Sequence, residues 1–419
     1  MRRPLVTRSG AARRAPGAIL LCCCAVLALT GCSTLSTMAL DAQDLNPPRH
    51  AGSESLQRQV DALVEPLIAS GQTPGMVVGV LLPDGSTQFF GYGATERGGE
   101  RPDADTLFAV GSLSKGFLAA ITALLVEDGT LSWDDTLGDL LPPATPLSAD
   151  ARKITLLQLA THTSGLPRQP FNATTLTQFV HYLFSGQSFY RQFNRRFVLD
   201  YLADFDAGDA GEPQYSNIGY GLIGHILELR TGLSIDELLE RRLTDVLGLA
   251  CTGYAADELP CYATRAHGHA GDQPKFVRRG KAVPDWRFTH FMRGSAGLHS
   301  NARDLLAFAA AHLKGATTPF DAALDDALKV RFARPKEAAA LAWIADDVGG
   351  RRINYQIGLV AGYTSYIGID AERGSAVVVL QNSFNWSNDI GHKLLLRLAR
   401  DTREYGLQRI AINHRGITP

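Results

Sequence analysis

A serine and a lysine three positions apart stand at the start of a long apolar run. They are Ser112 and Lys115 in "FAVGSLSKGFLAAITALL", residues 108–125. Residues i and i+3 of a helix lie on one face, so the lysine amine can reach the serine hydroxyl. A serine attacks a carbonyl carbon when an adjacent base accepts its proton, and this lysine could be that base. The alternative is two ordinary polar residues at the start of a buried helix, because Ser-x-x-Lys also arises by chance.

A tyrosine and an asparagine two positions apart precede a second predicted helix. Tyr215 and Asn217 belong to "PQYSNIGYG", residues 213–221. Alternate residues of an extended backbone point the same way, so the phenol and the carboxamide would project into one cleft. Taken singly, Asn217 could be a helix N-cap and Tyr215 a surface aromatic residue. Their occurrence downstream of Ser112 and Lys115 favours one shared site.

The spacing of apolar residues predicts the elements that must hold this site. Strand patterns occur near both ends of the chain, and helical patterns fill about 108–330 between them. Terminal strands share a sheet only when the middle of the chain folds as an insertion beside it. We therefore predict an α/β (α+β) fold, with an antiparallel sheet from N- and C-terminal segments, flanking helices and a mostly helical inserted lobe. The strand segments are "GMVVGVLLPDGSTQFFGYGATE" (75–96), "ALAWIADD" (340–347), "RINYQIGLV" (352–360), "GYTSYIGID" (362–370) and "SAVVVLQN" (375–382).

Residues 1–31 have the pattern of an export signal. Five arginines and no acidic residue are followed by an apolar run over 18–29, which is shorter than the roughly 20 residues that cross a bilayer. The quartet "LTGC" at 29–32 resembles the lipobox of bacterial lipoproteins. This resemblance implies cleavage before Cys32 and lipidation of its thiol, and Ser33 favours the periplasmic face of the outer membrane. An uncleaved signal anchor is the alternative.

The signal sets the expected domain boundaries. Residues 32–52 are predicted to be a tether between the lipid and the domain. The domain itself is expected over 53–405, followed by a tail at 406–419. Its sheet lobe would comprise about 53–107 and 335–405, and its helical lobe about 108–334.

Export also bears on the cysteines. Cys22, Cys23 and Cys24 lie in the apolar run, so Cys251 and Cys261 are the thiols that remain in the domain. In an oxidising compartment two remaining cysteines predict a disulfide, and two free thiols are the alternative.

Charge and missing motifs exclude several classes of function. The net charge of −1 gives no electrostatic reason to expect a nucleic-acid partner. The sequence has no G-x-S-x-G nucleophile elbow, no H-E-x-x-H and no paired C-x-x-C. His267 and His269 are therefore interpreted as loop histidines, and we expect neither a metal nor a cofactor.

The motifs together resemble a known family. "FAVGSLSKGF" with "QYSN" resembles the serine hydrolases that include class C β-lactamases, low-molecular-weight penicillin-binding proteins and related carboxylesterases. The resemblance spans about 55–400 and is closest to AmpH-like D-alanyl-D-alanine carboxypeptidase/endopeptidases, which trim D-alanine-containing peptides of peptidoglycan. Four further stretches match in order: "ITLLQLATHTSGLPRQ" (154–169), "LTDVLGLACTGY" (243–254), "GSAGLHSNARDLLAF" (294–308) and "GLVAGYTSYIGID" (358–370).

The resemblance implies a role for each motif residue. Ser112 would be the acylated nucleophile, Lys115 would take or relay its proton, and Tyr215 would be the general base or acid. Asn217 would contact a substrate amide. The backbone N–H groups of Ser112 and Leu359 would form the oxyanion hole. We also expect burial and nearby positive charge to lower the pKa of both Lys115 and Tyr215 toward neutrality.

The third family motif is where the sequence departs from the pattern. Lys-Thr-Gly or His-x-Gly is expected on a strand after the tyrosine, and alignment places Gln356, Ile357 and Gly358 there. His162, in "HTSG" at 162–165, precedes Tyr215 and is interpreted as part of a structural turn. A glutamine holds a substrate carboxylate less strongly than a cation would. It also removes a charge that would lower the pKa of Tyr215.

The expected function is a lipid-anchored serine hydrolase acting on D-amino-acid peptides of peptidoglycan. Because of Gln356, efficient β-lactamase activity is less favoured than an esterase or a peptidase that cleaves internal cross-links. A carboxylesterase or a weak class C-type β-lactamase is the alternative enzyme. A catalytically silent cell-wall binding protein is the alternative from another class. The sequence leaves the oligomeric state open.

Overall fold

A seven-stranded antiparallel sheet forms the centre of the sheet lobe. The computed structural model describes residues 40, 55–208, 211–334, 336–348, 350–386 and 389–398. Strands follow the order β2-β1-β9-β8-β7-β6-β5 across the sheet. The strands are β1 (Gly75–Leu81), β2 (Thr87–Gly93), β5 (Ala338–Ala339), β6 (Ile344–Val348), β7 (Arg351–Val360), β8 (Tyr363–Asp370) and β9 (Ser375–Gln381). A two-stranded sheet pairs β3 (Phe108–Ala109) with β4 (His299–Ser300).

The sheet joins the two ends of the domain, which confirms the predicted fold class. Strand β1 lies between β2 and β9, and its pairing with β9 runs from Met76 opposite Gln381 to Leu81 opposite Ala376. Every residue of β1, β8 and β9 is buried. Strands covered on both faces are apolar throughout rather than alternating, and this explains runs such as "AVVVL".

One predicted strand is extended only in its second half in the structure. The segment "ALAWIADD" was expected to be extended throughout, but residues 340–343 turn between β5 and β6. Ala342 has a φ of 63° there, and the N–H of Ala340 donates to the carbonyl of Trp343 at 2.9 Å. Leu341 and Trp343 are fully buried in the core of the helical lobe. The turn therefore lets residues 341 and 343 pack in the helical lobe while the residues that follow pair in the sheet as β6.

Helices cover both faces of the sheet. On one face α1 and the helix over 390–398 share an apolar cluster that includes Val60, Val64 and Leu394. The other face carries the inserted lobe. The helices are α1 (Leu56–Ala69), α2 (Ser114–Glu127), α3 (Leu137–Leu140), α4 (Leu156–Ala160), α5 (Ala173–Ser185), α6 (Arg195–Ala203), α7 (Asn217–Thr231), α8 (Ile235–Leu239), α9 (Asp245–Leu247), α10 (Arg293–Ala296), α11 (Ala302–Ala311), α12 (Pro319–Leu328) and α13 (390–398).

Helix α2 is the centre of the inserted lobe. It is buried from Ser114 to Leu125, and Phe117 stacks on Phe308 of α11 with ring centroids 3.9 Å apart. Helices α7, α10 and α12 pack around it. A helix buried on all sides has little freedom to move, so the residues at its first turn are held in fixed positions.

Cys251 and Cys261 are joined by a disulfide, with Cα atoms 6.0 Å apart. The bridge closes the loop after α9 and packs beside Leu107, which precedes β3. Cys32, the predicted signal, most of the tether and the tail lie outside the described residues. Within the described ranges no helix is long and apolar enough to cross a membrane. The same residues contain no group of three or more His, Cys, Asp or Glu side chains that could hold a metal ion.

Candidate active site

Ser112 lies in a tight turn that leads into α2. Residues Gly111–Leu113 form one 3-10 turn, and the α-helix begins at Ser114. Gly111 has a φ of 53°, a conformation that glycine adopts without strain. The hydroxyl of Ser114 donates to the carbonyl of Gly111 at 2.6 Å and accepts the N–H of Leu298 at 2.9 Å. These bonds fix the turn and leave Ser112 half-buried at the surface.

Lys115 has the geometry of a neutral base. Its side chain is 1% exposed, and burial, followed by the charge of Arg168, lowers its pKa well below the usual value. The Nζ atom lies 2.9 Å from the Asn217 carboxamide oxygen and 2.6 Å from the Ser295 carbonyl oxygen, and both accept N–H bonds from it. A neutral amine has two N–H donors and one lone pair. The Ser112 hydroxyl oxygen lies 3.1 Å from Nζ, a distance at which the lone pair of a neutral amine accepts a hydroxyl proton.

Tyr215 lies over this pair, and its pKa shift opposes the prediction made for it. The phenol is hydrogen-bonded to Ser112, but burial raises its pKa, while Arg168 and that hydrogen bond oppose the rise only in part. The expected lowering is therefore wrong for Tyr215, because desolvation penalises the phenolate as it penalises the lysine cation. Tyr215 thus stands as a protonated phenol beside a neutral amine.

Asn217 is a link inside the site rather than a helix cap. Ser216 caps α7 instead, since its hydroxyl accepts the N–H of Gly219 at 3.0 Å. The two ends of the Asn217 carboxamide bond in opposite directions, the oxygen to Lys115 and the nitrogen to the hydroxyl of Tyr190 at 2.5 Å. The carboxamide therefore holds Lys115 and also forms part of the cleft wall with Tyr190.

Strand β7 passes over the turn that carries Ser112. Pairing between β6 and β7 ends at Tyr355, so beyond it β7 has β8 on one edge and the Ser112 turn on the other. A β-carbon at Gly358 would collide with the carbonyl oxygen of Val110. A β-carbon at Gly111 would lie 3.2 Å from the backbone nitrogen of Leu359. The backbone nitrogen of Leu359 therefore lies next to Gly111, the residue before Ser112, and the oxyanion hole of Ser112 and Leu359 stays a prediction.

Gln356 lies on the same face of β7 as Gly358, directed at the start of α2. Its side chain is 4% exposed, and the space beside its carboxamide exists because residue 116 is a glycine. The Oε1 atom has no hydrogen-bond partner among the described residues. The alignment predicted this position, and the structure gives it a neutral, buried amide where a cation was expected in relatives.

Two residues behind Tyr215 were not predicted to be part of the site. The His162 ring stacks on the Tyr215 ring with centroids 4.5 Å apart, and the Arg168 guanidinium carbon lies 4.4 Å from the centroid of the same ring. The interpretation of "HTSG" as a structural turn alone is therefore incomplete. His162 does turn the chain, with a φ of 61°, but its Nδ1 also accepts the N–H of Ser216 at 3.1 Å.

His162 and Arg168 share one sequence signal that could have identified them. Both lie in the segment 154–169, which matches the family between the first two motifs. Burial above all, with the charge of Arg168, keeps the pKa of His162 well below its usual value, so the ring is neutral. Tyr190 lies outside every matched segment, and no pattern in the sequence distinguishes it.

Comparison with known proteins identifies the family of the chain. The sequence profile of the Beta-lactamase family matches residues 60–401. The chain belongs to the Beta-lactamase family. AmpH of Escherichia coli K12, a D-alanyl-D-alanine-carboxypeptidase/endopeptidase, is 30% identical over 234 residues, which are 55% of this chain and 57% of AmpH. A beta-lactamase of Lysobacter lactamgenus is 31% identical over 265 residues, which are 62% of this chain and 60% of that protein.

The fold extends across nearly the whole of a solved relative. A class C beta lactamase from Rhodobacter sphaeroides superposes with a TM-score of 0.67 and 25% identity, covering 84% of this chain and 99% of that structure. The sequence alignments span less than two thirds of AmpH and of the Lysobacter enzyme. The comparisons therefore support the family and the fold more broadly than any one substrate.

Proposed function

We propose that this chain is a serine acyl hydrolase that cleaves D-amino-acid peptides of peptidoglycan through an acyl-enzyme on Ser112. The observation that carries the proposal is the buried Nζ of Lys115, which lies 3.1 Å from the Ser112 hydroxyl oxygen and whose pKa burial lowers well below the usual value. Outside an active site, a lysine in this place would extend into solvent and stay charged.

The chemistry follows from the protonation states. The Ser112 oxygen attacks the substrate carbonyl as its proton passes to Lys115, and the N–H groups of Ser112 and Leu359 bind the oxyanion. The Tyr215 phenol gives its proton to the leaving amine as the C–N bond breaks, and the protonated Lys115 amine returns the serine proton to the phenolate. Water then attacks the ester carbonyl, and the proton transfers of the first step run in reverse: the water gives up a proton to the site and the Ser112 oxygen regains one. This releases the acid and restores the free serine.

The neutral side chain of Gln356 in β7 indicates which peptides the site would cleave. Gln356 supplies no charge to hold a terminal carboxylate, and β-lactams and free D-Ala-D-Ala ends both carry one. A cross-link peptide continues past the scissile bond, so its recognition depends less on such a cation. We therefore favour endopeptidase action on cross-links over removal of a terminal D-alanine.

A carboxylesterase is the second candidate, and Gln356 again favours it, because simple esters present no carboxylate to the cleft. A silent binding protein of the same fold has less support. Loss of catalysis would remove any need to bury a lysine against a serine, since burial of an ammonium group costs stability unless it is neutralised or paired.

The experiment is active-site labelling followed by a muropeptide digest. The chain and its Ser112→Ala variant would be incubated with a fluorescent penicillin and with a fluorophosphonate probe. Purified cross-linked muropeptide dimers, pentapeptide monomers and nitrophenyl butyrate would then be offered separately. We expect Ser112-dependent labelling, and cleavage of dimers faster than release of D-alanine from monomers.

Each other result selects another function. Turnover of nitrophenyl butyrate without cleavage of either muropeptide would identify an esterase. Rapid hydrolysis of penicillin would identify a β-lactamase and contradict the role given to Gln356. Folded protein that neither probe labels would show that the chain is a binding protein.

We propose further that the protein is exported and lipid-anchored through Cys32 on the periplasmic face of the outer membrane. This proposal is supported by the signal pattern and the quartet at 29–32. Metabolic labelling with an alkyne fatty acid should mark the chain and leave a Cys32→Ala variant unmarked. An unlabelled chain that keeps its full signal would instead indicate an uncleaved anchor.

A further inference from the structure

Two phenylalanine side chains lie stacked and exposed at the surface of the helical lobe. Phe184, near the end of α5, and Phe276, in a later loop, are 59% and 60% exposed. Their ring centroids are 4.6 Å apart with 15° between the ring planes. An exposed apolar surface made of adjacent rings is uncommon in a soluble domain and indicates an interaction site.

The backbone holds this pair in place. The N–H of Phe276 donates to the carbonyl of Leu183 at 2.9 Å, which fixes the loop to α5. The loop is closed at its base, where the N–H of Ala270 donates to the carbonyl of Lys281 at 2.8 Å. The two rings are therefore presented by a formed loop rather than by a side chain that could fold back into the core.

A cluster of cations surrounds Phe276. Residues 275–281 read "KFVRRGK", with four exposed cations and no acid. Arg279 pairs with Asp272 at 2.5 Å. The other three cations form no ion pair with any described residue. The basic aromatic patch is defined as Phe184, Lys275, Phe276, Arg278, Arg279 and Lys281.

We propose that the basic aromatic patch docks on the surface of an anionic lipid bilayer. Aromatic rings insert at the level of the lipid headgroups while lysine and arginine side chains pair with the phosphates. Both features of the patch are then satisfied by one partner. An anionic wall polymer would pair with the cations and leave the rings in water. A second copy of the chain would bring two sets of cations together, which repel.

The patch is connected to the wall of the active-site cleft. Gly186, which ends α5, accepts the indole N–H of Trp286 at 2.9 Å, and the Trp286 ring lies 5.9 Å from the ring of Tyr190. Tyr190 in turn bonds to Asn217. The end of α5 that carries Phe184 is therefore linked to the site residue Asn217 through packed aromatic side chains. The proposal requires neither the acyl transfer by Ser112 nor a lipid on Cys32.

The test measures the depth of one residue rather than membrane binding, because an anchor elsewhere in the chain could also bind vesicles. The full chain with Phe276→Trp would be reconstituted in vesicles that contain brominated phospholipid, which quenches indole emission on contact. One set of vesicles would be rich in phosphatidylglycerol and one would be phosphatidylcholine alone. Phe171→Trp is the matched control, because Phe171 is 63% exposed and lies outside the patch.

We expect the added emission of Phe276→Trp to be quenched in phosphatidylglycerol vesicles and not in phosphatidylcholine vesicles. Lys275→Glu, Arg278→Glu and Lys281→Glu, combined with Phe276→Trp, should reduce this quenching to the level of Phe171→Trp. Equal quenching of Phe276→Trp and Phe171→Trp would overturn the proposal. Quenching that survives the three charge reversals would also overturn it. The proposal would also be overturned if lipid did not quench the emission of Phe276→Trp and that emission changed instead when purified peptidoglycan was added or the protein concentration was raised.

Discussion

At the scale of single residues, burial keeps the titratable groups of the site uncharged. Lys115 is neutral because it is buried and because Arg168 is near. Tyr215 keeps its proton because it is buried as well. The same desolvation thus disfavours the charged form of both side chains, the ammonium of Lys115 and the phenolate of Tyr215.

Replacement of Lys115 by arginine tests whether a neutral amine is required. A guanidinium keeps its proton and offers no lone pair, so Lys115→Arg should lower the rate of Ser112 acylation by about 10²- to 10⁴-fold. The measurement is the rate of labelling by a fluorophosphonate probe. Lys153→Arg is the control, since Lys153 is an exposed lysine paired with Asp150. Wild-type labelling of Lys115→Arg would contradict the role of Lys115.

The charge of Arg168 should determine the pH below which activity falls. Its charge lowers the pKa of Lys115, and only the neutral amine can accept the Ser112 proton. Arg168→Gln should therefore raise that pKa and move the acidic limb of the pH–rate profile to higher pH by roughly one unit. Arg168→Lys should keep the limb near its wild-type place.

The control for this shift in the pH–rate profile is an exposed arginine outside the site. Arg191 is exposed and bonds to Gln187, so Arg191→Gln should leave the profile unchanged. If Arg168→Gln and wild type share one acidic limb, the charge of Arg168 does not act on Lys115.

At the scale of elements, the site is the contact between the start of α2 and the strand β7. Gly116 and Gly358 are needed because backbone and carboxamide groups occupy the space where their β-carbons would lie. The strand can approach the turn of Ser112 this closely only because these side chains are absent.

Gly116 and Gln356 should be coupled in stability. Gly116→Ala places a β-carbon against the Gln356 carboxamide and should lower the free energy of unfolding by about 1–3 kcal/mol. Gln356→Ala removes the obstacle, so the double variant should be more stable than Gly116→Ala alone. Urea unfolding of the four proteins provides the double-mutant cycle.

Gly224→Ala is the matched control for this cycle. Gly224 lies inside α7, where an added β-carbon would lie 3.6 Å from Ile235, an ordinary contact. That variant should lose nothing and gain from the helix preference of alanine. A Gly116→Ala protein that is as stable as wild type would mean that the carboxamide moves aside freely.

The sequence predicts the elements better than their contacts. Period and composition identify the strands, because β1, β8 and β9 are buried along their whole length and β2 alternates buried and less buried residues in its second half. The motif spacing also predicts that Ser112 and Lys115 can touch, since that contact lies within one helical turn. His162, Arg168 and Tyr190 reach Tyr215 and Asn217 through loops that are distant in sequence, and no local pattern records such a contact.

At the scale of the whole molecule, buried neutral histidines make stability depend on pH. Burial lowers the pKa of His312 to about 4 and that of His392 to about 3. The unfolded chain binds protons at these positions near pH 6.5, whereas the folded chain does not until far lower. Stability should therefore fall as the pH drops below 6.5, and His312 should account for about 3 kcal/mol of the loss by pH 4.

His312→Leu isolates this effect. The side chain lies at the end of α11 against Phe308 and Trp343, so an apolar replacement suits its surroundings. The urea midpoint of the variant should fall less between pH 7 and pH 5 than that of wild type. His181→Asn, at an exposed position, should behave as wild type. Parallel pH curves for His312→Leu and wild type would contradict the assignment.

The packing of the first and last described helices joins the ends of the domain. Val60 and Val64 of α1 share an apolar cluster with Leu394 of α13, and the Arg397 guanidinium donates to the carbonyl of Gln59 at 3.2 Å. A short linker could therefore close the domain into a ring, and the exposed turn at 83–85 could supply new termini. Such a circular permutant would keep Ser112, Tyr215 and Gln356 in place while moving the chain termini to another edge of the sheet.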